Sequence, residues 1–153
     1  MKEILVKSLM SKKVETANPT NTFMEIAEKM SEHDIGCLPI VEDKEVVGII
    51  TDRDLVVRGI KNNVSTDTEI GEYMTCDVIS IGSKENIEMA LNLMGKFQIK
   101  RLLVIDKNKL MGVLSLSDIV LNETINPSKV LKEIYSDEHE PNNLDSEVDE
   151  FDL

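Results

Sequence analysis

Apolar residues along this chain follow two spacings that alternate. Phe23, Ile26, Ala27 and Met30 stand at i, i+3, i+4 and i+7, and Ile87, Ala90, Leu91 and Met94 do the same. That spacing lines four side chains along one stripe of a helix, so one amphipathic helix is predicted around each group. Asn21 or Thr22 is positioned to cap the first helix, and Glu85 or Asn86 the second. Each helix is followed by two short β-rich runs. Cys37-Leu38-Pro39-Ile40-Val41 and Val46-Val47-Gly48-Ile49-Ile50 flank Glu42-Asp43-Lys44-Glu45, while Leu102-Leu103-Val104-Ile105 and Leu110-Met111-Gly112-Val113-Leu114 flank Asp106-Lys107-Asn108-Lys109. Both arrangements read as hairpins. Shorter apolar segments at Val14 and at Val78 to Ile81 predict one further strand in each half.

The two halves are one pattern written twice. A shift of 64 positions lays Met10 on Met74, Val14 on Val78, Met30 on Met94, Ile35 on Ile99 and Leu38 on Leu102, with no gap. The same shift lays Gly48 on Gly112, Thr51 on Ser115 and Asp54 on Asp118. Hydrophobic coincidence does not also match a glycine, a hydroxyl and an acid, so the chain is a duplication of one βαββα-type unit. The expected organisation is a first unit with its N-terminal segment over 1–63, a linker over 64–71 and a second unit over 72–125. The joining stretch from Gly59 to Gly71 is polar, as a surface connection should be. A C-terminal helix is expected over 126–135, where Asn126-Pro127 precedes Val130, Leu131 and Ile134, and an acidic disordered tail over 136–153.

Gly-apolar-apolar-Thr-x-Arg-Asp (Gly48 to Asp54) after Leu38-Pro39-Ile40-Val41, repeated as Gly-apolar-apolar-Ser-x-Ser-Asp (Gly112 to Asp118), resembles a pair of cystathionine-β-synthase (CBS) domains. Met10-Ser11 and Met74-Thr75, which open the two units, belong to the same resemblance, which covers residues 8–123. It implies an α+β fold in which two units, each a short sheet with flanking helices, pack about a pseudo-twofold axis. It also implies two clefts for AMP, ADP, ATP, S-adenosylmethionine or an NAD-type ligand, regulation of a partner protein, and pairing into a homodimer. By resemblance Asp54 and Asp118 read the ribose. A carboxylate suits that task because it accepts hydrogen bonds from both vicinal hydroxyls. Thr51, Ser115 and Ser117 are the candidates for phosphate oxygens, with the N–H groups of the helix starts beside them. Adenine contacts fall to Val14, Thr16 and Ile35 in one cleft, and to Val78, Ser80 and Ile99 in the other.

The clefts are expected to differ. Lys100-Arg101 stands where the family carries a basic pair for phosphates; the first unit has Gly36-Cys37 there, and offers Arg53 where the second has Ser117. The Asp118 cleft, with Lys100 and Arg101, is therefore expected to be the tighter one. Plainer readings stand beside these. Asp54 and Asp118 also suit helix capping, Lys100 and Arg101 a solvated edge, and the methionines an adaptable core. His33 reads as a helix C-terminal residue.

Charge and composition narrow the function. The formal net charge is -12, yet the stretch from Asp137 to Asp152 holds eight carboxylates and no Lys or Arg, leaving the body near -4. Such a surface offers no basic footprint for nucleic acid, and 3% aromatic content gives little for base stacking. No run approaches the roughly 18 apolar residues of a membrane span. The first residues, Met1 to Leu5, turn polar too soon for a signal peptide, and Cys37 and Cys76 have no metal-like spacing. The expectation is a cytoplasmic protein with reduced thiols and no metal. With His33 and His139 as its two histidines, the chain assembles no nucleophile–base or metal apparatus, so it is expected not to be an enzyme. A ligand-sensing module leads; a ligand-independent dimeric scaffold acting through its surface or acidic tail is the alternative.

Overall fold

The computed structural model describes residues 3–122, 125–126, 128–129 and 132. In chain order it contains α1 (Val6–Leu9), α2 (Phe23–His33), β1 (Cys37–Glu42), β2 (Glu45–Thr51), α3 (Asp52–Asp54), β3 (Ser80–Ile81), α4 (Ile87–Phe97), β4 (Arg101–Asp106), β5 (Lys109–Ser115) and α5 (Leu116–Val120). After α3 the backbone continues as a π turn over Leu55–Gly59 and a 3-10 turn over Ile60–Asn62, and a further 3-10 turn covers Ile70–Glu72. The expected C-terminal helix falls mostly, and the acidic tail wholly, outside the described residues.

Local chemistry explains where the elements begin and end. The Thr22 hydroxyl accepts the Glu25 N–H and Glu25 reaches back to the Thr22 N–H, a reciprocal cap at the start of α2. The Asn86 side chain accepts the Met89 N–H at the start of α4. Both helices stop at a left-handed residue, Asp34 with φ 51° and Gln98 with φ 53°. These positions are 64 apart, so the repeat extends to backbone conformation. The hairpin loops are shorter than the four residues expected. Asp43-Lys44 and Lys107-Asn108 all have positive φ, which makes two-residue turns whose twist matches that of the paired strands.

Two lobes result, each with its own core. Ile26, Met30, Leu38, Ile40 and Ile50 form the first, and Ala90, Leu91, Met94, Leu102, Val104, Leu114 and Ile119 the second. Their hairpins face each other. Leu38, Pro39 and Ile40 are all buried, as are Leu102, Leu103 and Val104, so β1 and β4 have no solvent face at mid-strand. β2 lies against β5, and the Val46 N–H donates to the Asn108 carbonyl at 3.2 Å.

The leading segments of the two repeats are exchanged. Val6 of α1 is fully buried in the second core, where Val6 N–H bonds Glu85 O at 2.8 Å and Lys7 N–H bonds Ser83 O at 2.9 Å. Conversely Ile70, inside the stretch expected to be a surface linker, is fully buried in the first core, with its N–H on Asn21 O at 2.9 Å. A polar stretch with one apolar residue gives little sign that it is a docking strip. Ser11 then pairs with Val113 on β5, and Thr75 with Ile49 on β2. This crossing also corrects the strand expected at Val14. Ser11 is held by one lobe and Ala17 by the other, where it bridges Ile40. Val14 sits in the span between them, and the first lobe keeps a single parallel bridge where the second has β3. No helix among the described residues is long and apolar enough to cross a membrane.

The exchange accounts for two parts of the repeated motif at once. A Cβ on Gly112 would lie 2.5 Å from Ser11 O and 3.1 Å from Met10 Sδ; one on Gly48 would lie 2.9 Å from Thr75 O and 2.7 Å from Met74 Sδ. The Met-Ser/Thr opening of each repeat crosses over the glycine of the other, and only hydrogen leaves room there.

Candidate functional site

At the end of each hairpin the motif forms the same turn. The Thr51 hydroxyl accepts the Asp54 N–H at 3.1 Å while Asp54 Oδ2 accepts the Thr51 N–H at 2.9 Å. Ser115 and Asp118 repeat this with 3.1 and 2.9 Å. The acids therefore do cap their helices. One carboxylate oxygen faces inward to the cap, and Asp54 and Asp118 are both half-buried.

A second backbone bond brings the start of the hairpin to the turn. Asp52 N–H donates to Gly36 O at 2.9 Å, and Leu116 N–H donates to Lys100 O at 2.8 Å. Cys37 is the register partner of Thr51, and Arg101 of Ser115. Each lobe thus gathers one mouth: Ile35, Gly36, Cys37, Thr51 and Asp54 in the first, Ile99, Lys100, Arg101, Ser115 and Asp118 in the second. The predicted adenine contacts lie one strand away. Thr16 precedes Ala17, which bridges Ile40 in mid-β1; Ser80 pairs with Leu103 of β4, with Val78 two residues ahead of it. The Lys29 ammonium donates to the Thr16 carbonyl.

The mouths differ as charged surfaces. At the spot where the second lobe presents the exposed Lys100, the first has Gly36, and a Cβ there would meet Asp52 Oδ2 at 2.9 Å. In the second lobe the residue at the Asp52 position is Leu116, buried in the core. The Ser117 hydroxyl lies 2.8 Å from that of Ser115, giving the second mouth two adjacent hydroxyls. Arg53, its counterpart, instead lines a shallow hollow of about 390 Å³ with Asp52, Val56 and Val57. A second, apolar hollow of about 350 Å³ between α2 and the π turn is bounded by Phe23, Met24, Met30, Leu55 and Ile60.

Arg101 acts across the lobe boundary. Burial pushes the Cys37 thiol up to about 11; the Arg101 guanidinium pulls it partly back, and the carboxylates of Asp54 and Asp52 push it further up. Arg101, expected to serve the Asp118 mouth, is thus also a neighbour of the Asp54 mouth. Sequence reasoning missed two participants. One is Asp52. The other is Arg58, whose Nε lies 3.6 Å from Asp54 Oδ1 and whose i,i+4 spacing from that acid was the available signal. His33 closes α2 as expected, 3.6 Å from Glu15. Among the described residues no three His, Cys, Asp or Glu side chains are grouped to hold a metal ion.

Comparison with known proteins finds two matched segments. The CBS domain family matches residues 6–59 and again 70–123. The chain is 34% identical over 123 residues to the CBS domain-containing protein YhcV of Bacillus subtilis, covering 80% of this chain and 88% of that one. The crystal structure of Hypoxic Response Protein I, described with two coordinated zinc ions, superposes with a TM-score of 0.70 at 30% identity, over 77% of this chain and 98% of that one. The CBS domain pair of protein MJ0100, solved in complex with 5-methylthioadenosine and S-adenosyl-L-methionine, superposes with a TM-score of 0.68 at 32% identity, over 77% and 94%.

Proposed function

Because this chain belongs to the CBS domain family, as a tandem pair of such units, we propose that it is a regulatory module that takes adenosine-containing ligands at the two hairpin mouths. The observation that carries the reading is the hydroxyl–acid turn built twice with the same bond pattern, each beside a half-buried carboxylate. The MJ0100 pair, with adenosine ligands of its own, supports the same chemistry. Asp54 and Asp118 read ribose hydroxyls through the carboxylate oxygen that the cap leaves outward. Thr51, Ser115 and Ser117 receive phosphate or its equivalent, and Lys100 and Arg101 supply positive charge. Val14, Thr16 and Ile35, with Val78, Ser80 and Ile99, wall the adenine.

The Asp118 mouth is the tighter of the two, because it combines two adjacent hydroxyls with the exposed Lys100, whereas the first mouth has Gly36 at that position with the Asp52 carboxylate beside it. Ligand binding shifts one lobe against the other, and the shift is read by a partner protein or by a second copy of the chain in a homodimer. The activity is binding, not catalysis, and belongs to the cytoplasm. A second reading, a ligand-independent scaffold, is favoured by the exposed Val56, Val57 and Ile60 on the first lobe.

Isothermal titration with AMP, ATP, S-adenosylmethionine and NADH tests the reading, with Asp54→Ala and Asp118→Ala as controls. Micromolar binding of one ligand, abolished by Asp118→Ala in a protein that stays folded, is the expected result. Silence across the panel from folded, nucleotide-free protein favours the scaffold.

A further inference from the structure

We propose that Arg58 is a latch on the first mouth: it occupies the outward oxygen of Asp54, ties that acid to the crossing segment of the second repeat, and is displaced when a ribose arrives. The proposal rests on the reading of Asp54 as a ligand-binding acid.

Both oxygens of Asp54 are engaged. Oδ2 accepts the Thr51 N–H at 2.9 Å, and Oδ1 faces Arg58 Nε at 3.6 Å. A ribose diol must donate to the same carboxylate, so Arg58 competes with it for Oδ1. The same guanidinium reaches further, with Nη1 donating to the Tyr73 carbonyl at 2.9 Å. Tyr73 is part of the exchanged segment. Its ring meets Phe23 edge-on at 5.1 Å, it follows the buried Ile70, and it precedes Met74 and Thr75, which lie over Gly48 and pair with Ile49. One side chain therefore connects the ribose acid of the first repeat to a strip that leads into the second.

The second mouth carries no cation at the matching position. The residue 64 positions beyond Arg58 is Asn122, which has no charge to set against Asp118. Sequence symmetry is broken at the position that would guard the acid. The competition is mild, because Arg58 is 46% exposed and an exposed ion pair is weak. Removing the latch should tighten first-mouth binding by about two- to fivefold. It should also disconnect that binding from Tyr73.

The chain has two tyrosines, Tyr73 and Tyr135, and no tryptophan. Tyr135→Phe therefore makes Tyr73 the sole emitter, and Asp118→Ala in the same protein restricts binding to the first mouth. Without ligand, Arg58→Gln and Asp54→Asn should each raise acrylamide quenching of Tyr73, and the double variant should add nothing further. With adenosine as the probe, the Arg58-containing protein should show a Tyr73 response on binding, and Arg58→Gln should bind more tightly with that response lost. Arg58→Lys, keeping the charge but not the fork, should restore part of the response.

Independent, additive effects of the two substitutions on Tyr73, or adenosine affinity unchanged or weakened by Arg58→Gln, would overturn the latch. Failure of the underlying function looks different. Tyr73 would remain coupled to Asp54 while adenosine bound to no variant, and the latch would fall with it as a structural tie only.

Discussion

Replacing Gly112 by alanine probes the crossing of the two repeats at its tightest point. The new Cβ would sit 2.5 Å from the Ser11 carbonyl oxygen, where ordinary contact begins at 3.4 Å, so the two must part by roughly 1 Å. Met10, also within 3.4 Å, can rearrange its thioether, but Ser11 O is backbone and is held by the Val113 N–H at 3.0 Å. If the strip stays in place, the overpacking costs about 1–3 kcal/mol. If it lifts, the reciprocal pair Ser11 N–H to Val113 O and Val113 N–H to Ser11 O is lost, at about 1 kcal/mol each. Both routes fall within about 1–3 kcal/mol, which at a slope of about 2 kcal/mol per M equilibrium urea unfolding reads as a midpoint lowered by about 0.5–1.5 M. Gly82→Ala is the control, since its Cβ would stand 3.5 Å from Glu85 Cγ in ordinary contact, and it should stay within about 0.5 kcal/mol of the parent. A cost below about 0.5 kcal/mol for Gly112→Ala, or equal costs for both substitutions, would refute the account of the motif glycine as a site of close approach.

Three further outcomes follow from named contacts. Val6→Ala, trimming a fully buried side chain that the first repeat lends to the second core, should cost about 2 kcal/mol in the same assay, with the loss centred on amides of the second lobe by hydrogen exchange. The Ser83 hydroxyl and N–H hold the Asp106 carboxyl below its ordinary value of 3.8. That contribution is full above the unfolded value and is lost as pH falls through the folded one, so the stability gap between the parent and Ser83→Ala should narrow as pH falls below about 3.8 in acid titrations. Cys37, with its thiol raised to about 11, should alkylate slowly at neutral pH, and Arg101→Ala should slow it further by removing the cation that lowers the value, as read by iodoacetamide rates against pH.

The elements were legible because each carries a local signal. The i, i+3, i+4, i+7 stripes marked α2 and α4, and the β-rich runs bracketing Glu42 to Glu45 and Asp106 to Lys109 marked the hairpins. The motif turn could be located because a hydroxyl and an acid at i, i+3 is a cap whatever else it does. What could not be read was partnership between distant segments. Val6 and Ile70 are ordinary apolar residues in short polar contexts, and nothing local says that each completes the other repeat's core. Val14 was misread for the same reason: its neighbours in sequence are pulled to different lobes, so β propensity had no strand to join. At the candidate site, the motif positions show which residues meet at each hairpin end, but not the electrostatic influence of Arg101 on Cys37. Nor do they show the sharing of Asp54 with Arg58, which depends on where a long side chain turns.

The trading of opening strips has an evolutionary reading. If a single ancestral unit paired with a copy of itself by the same trade, joining the two genes end to end would convert a bimolecular handshake into a unimolecular one without altering any contact in either core. Once joined, the copies were free to diverge at positions such as 36 and 100, or 58 and 122, because a change in one no longer appeared in both. Inequality between the mouths is therefore a freedom that fusion makes available and that a symmetric pair of identical chains lacks.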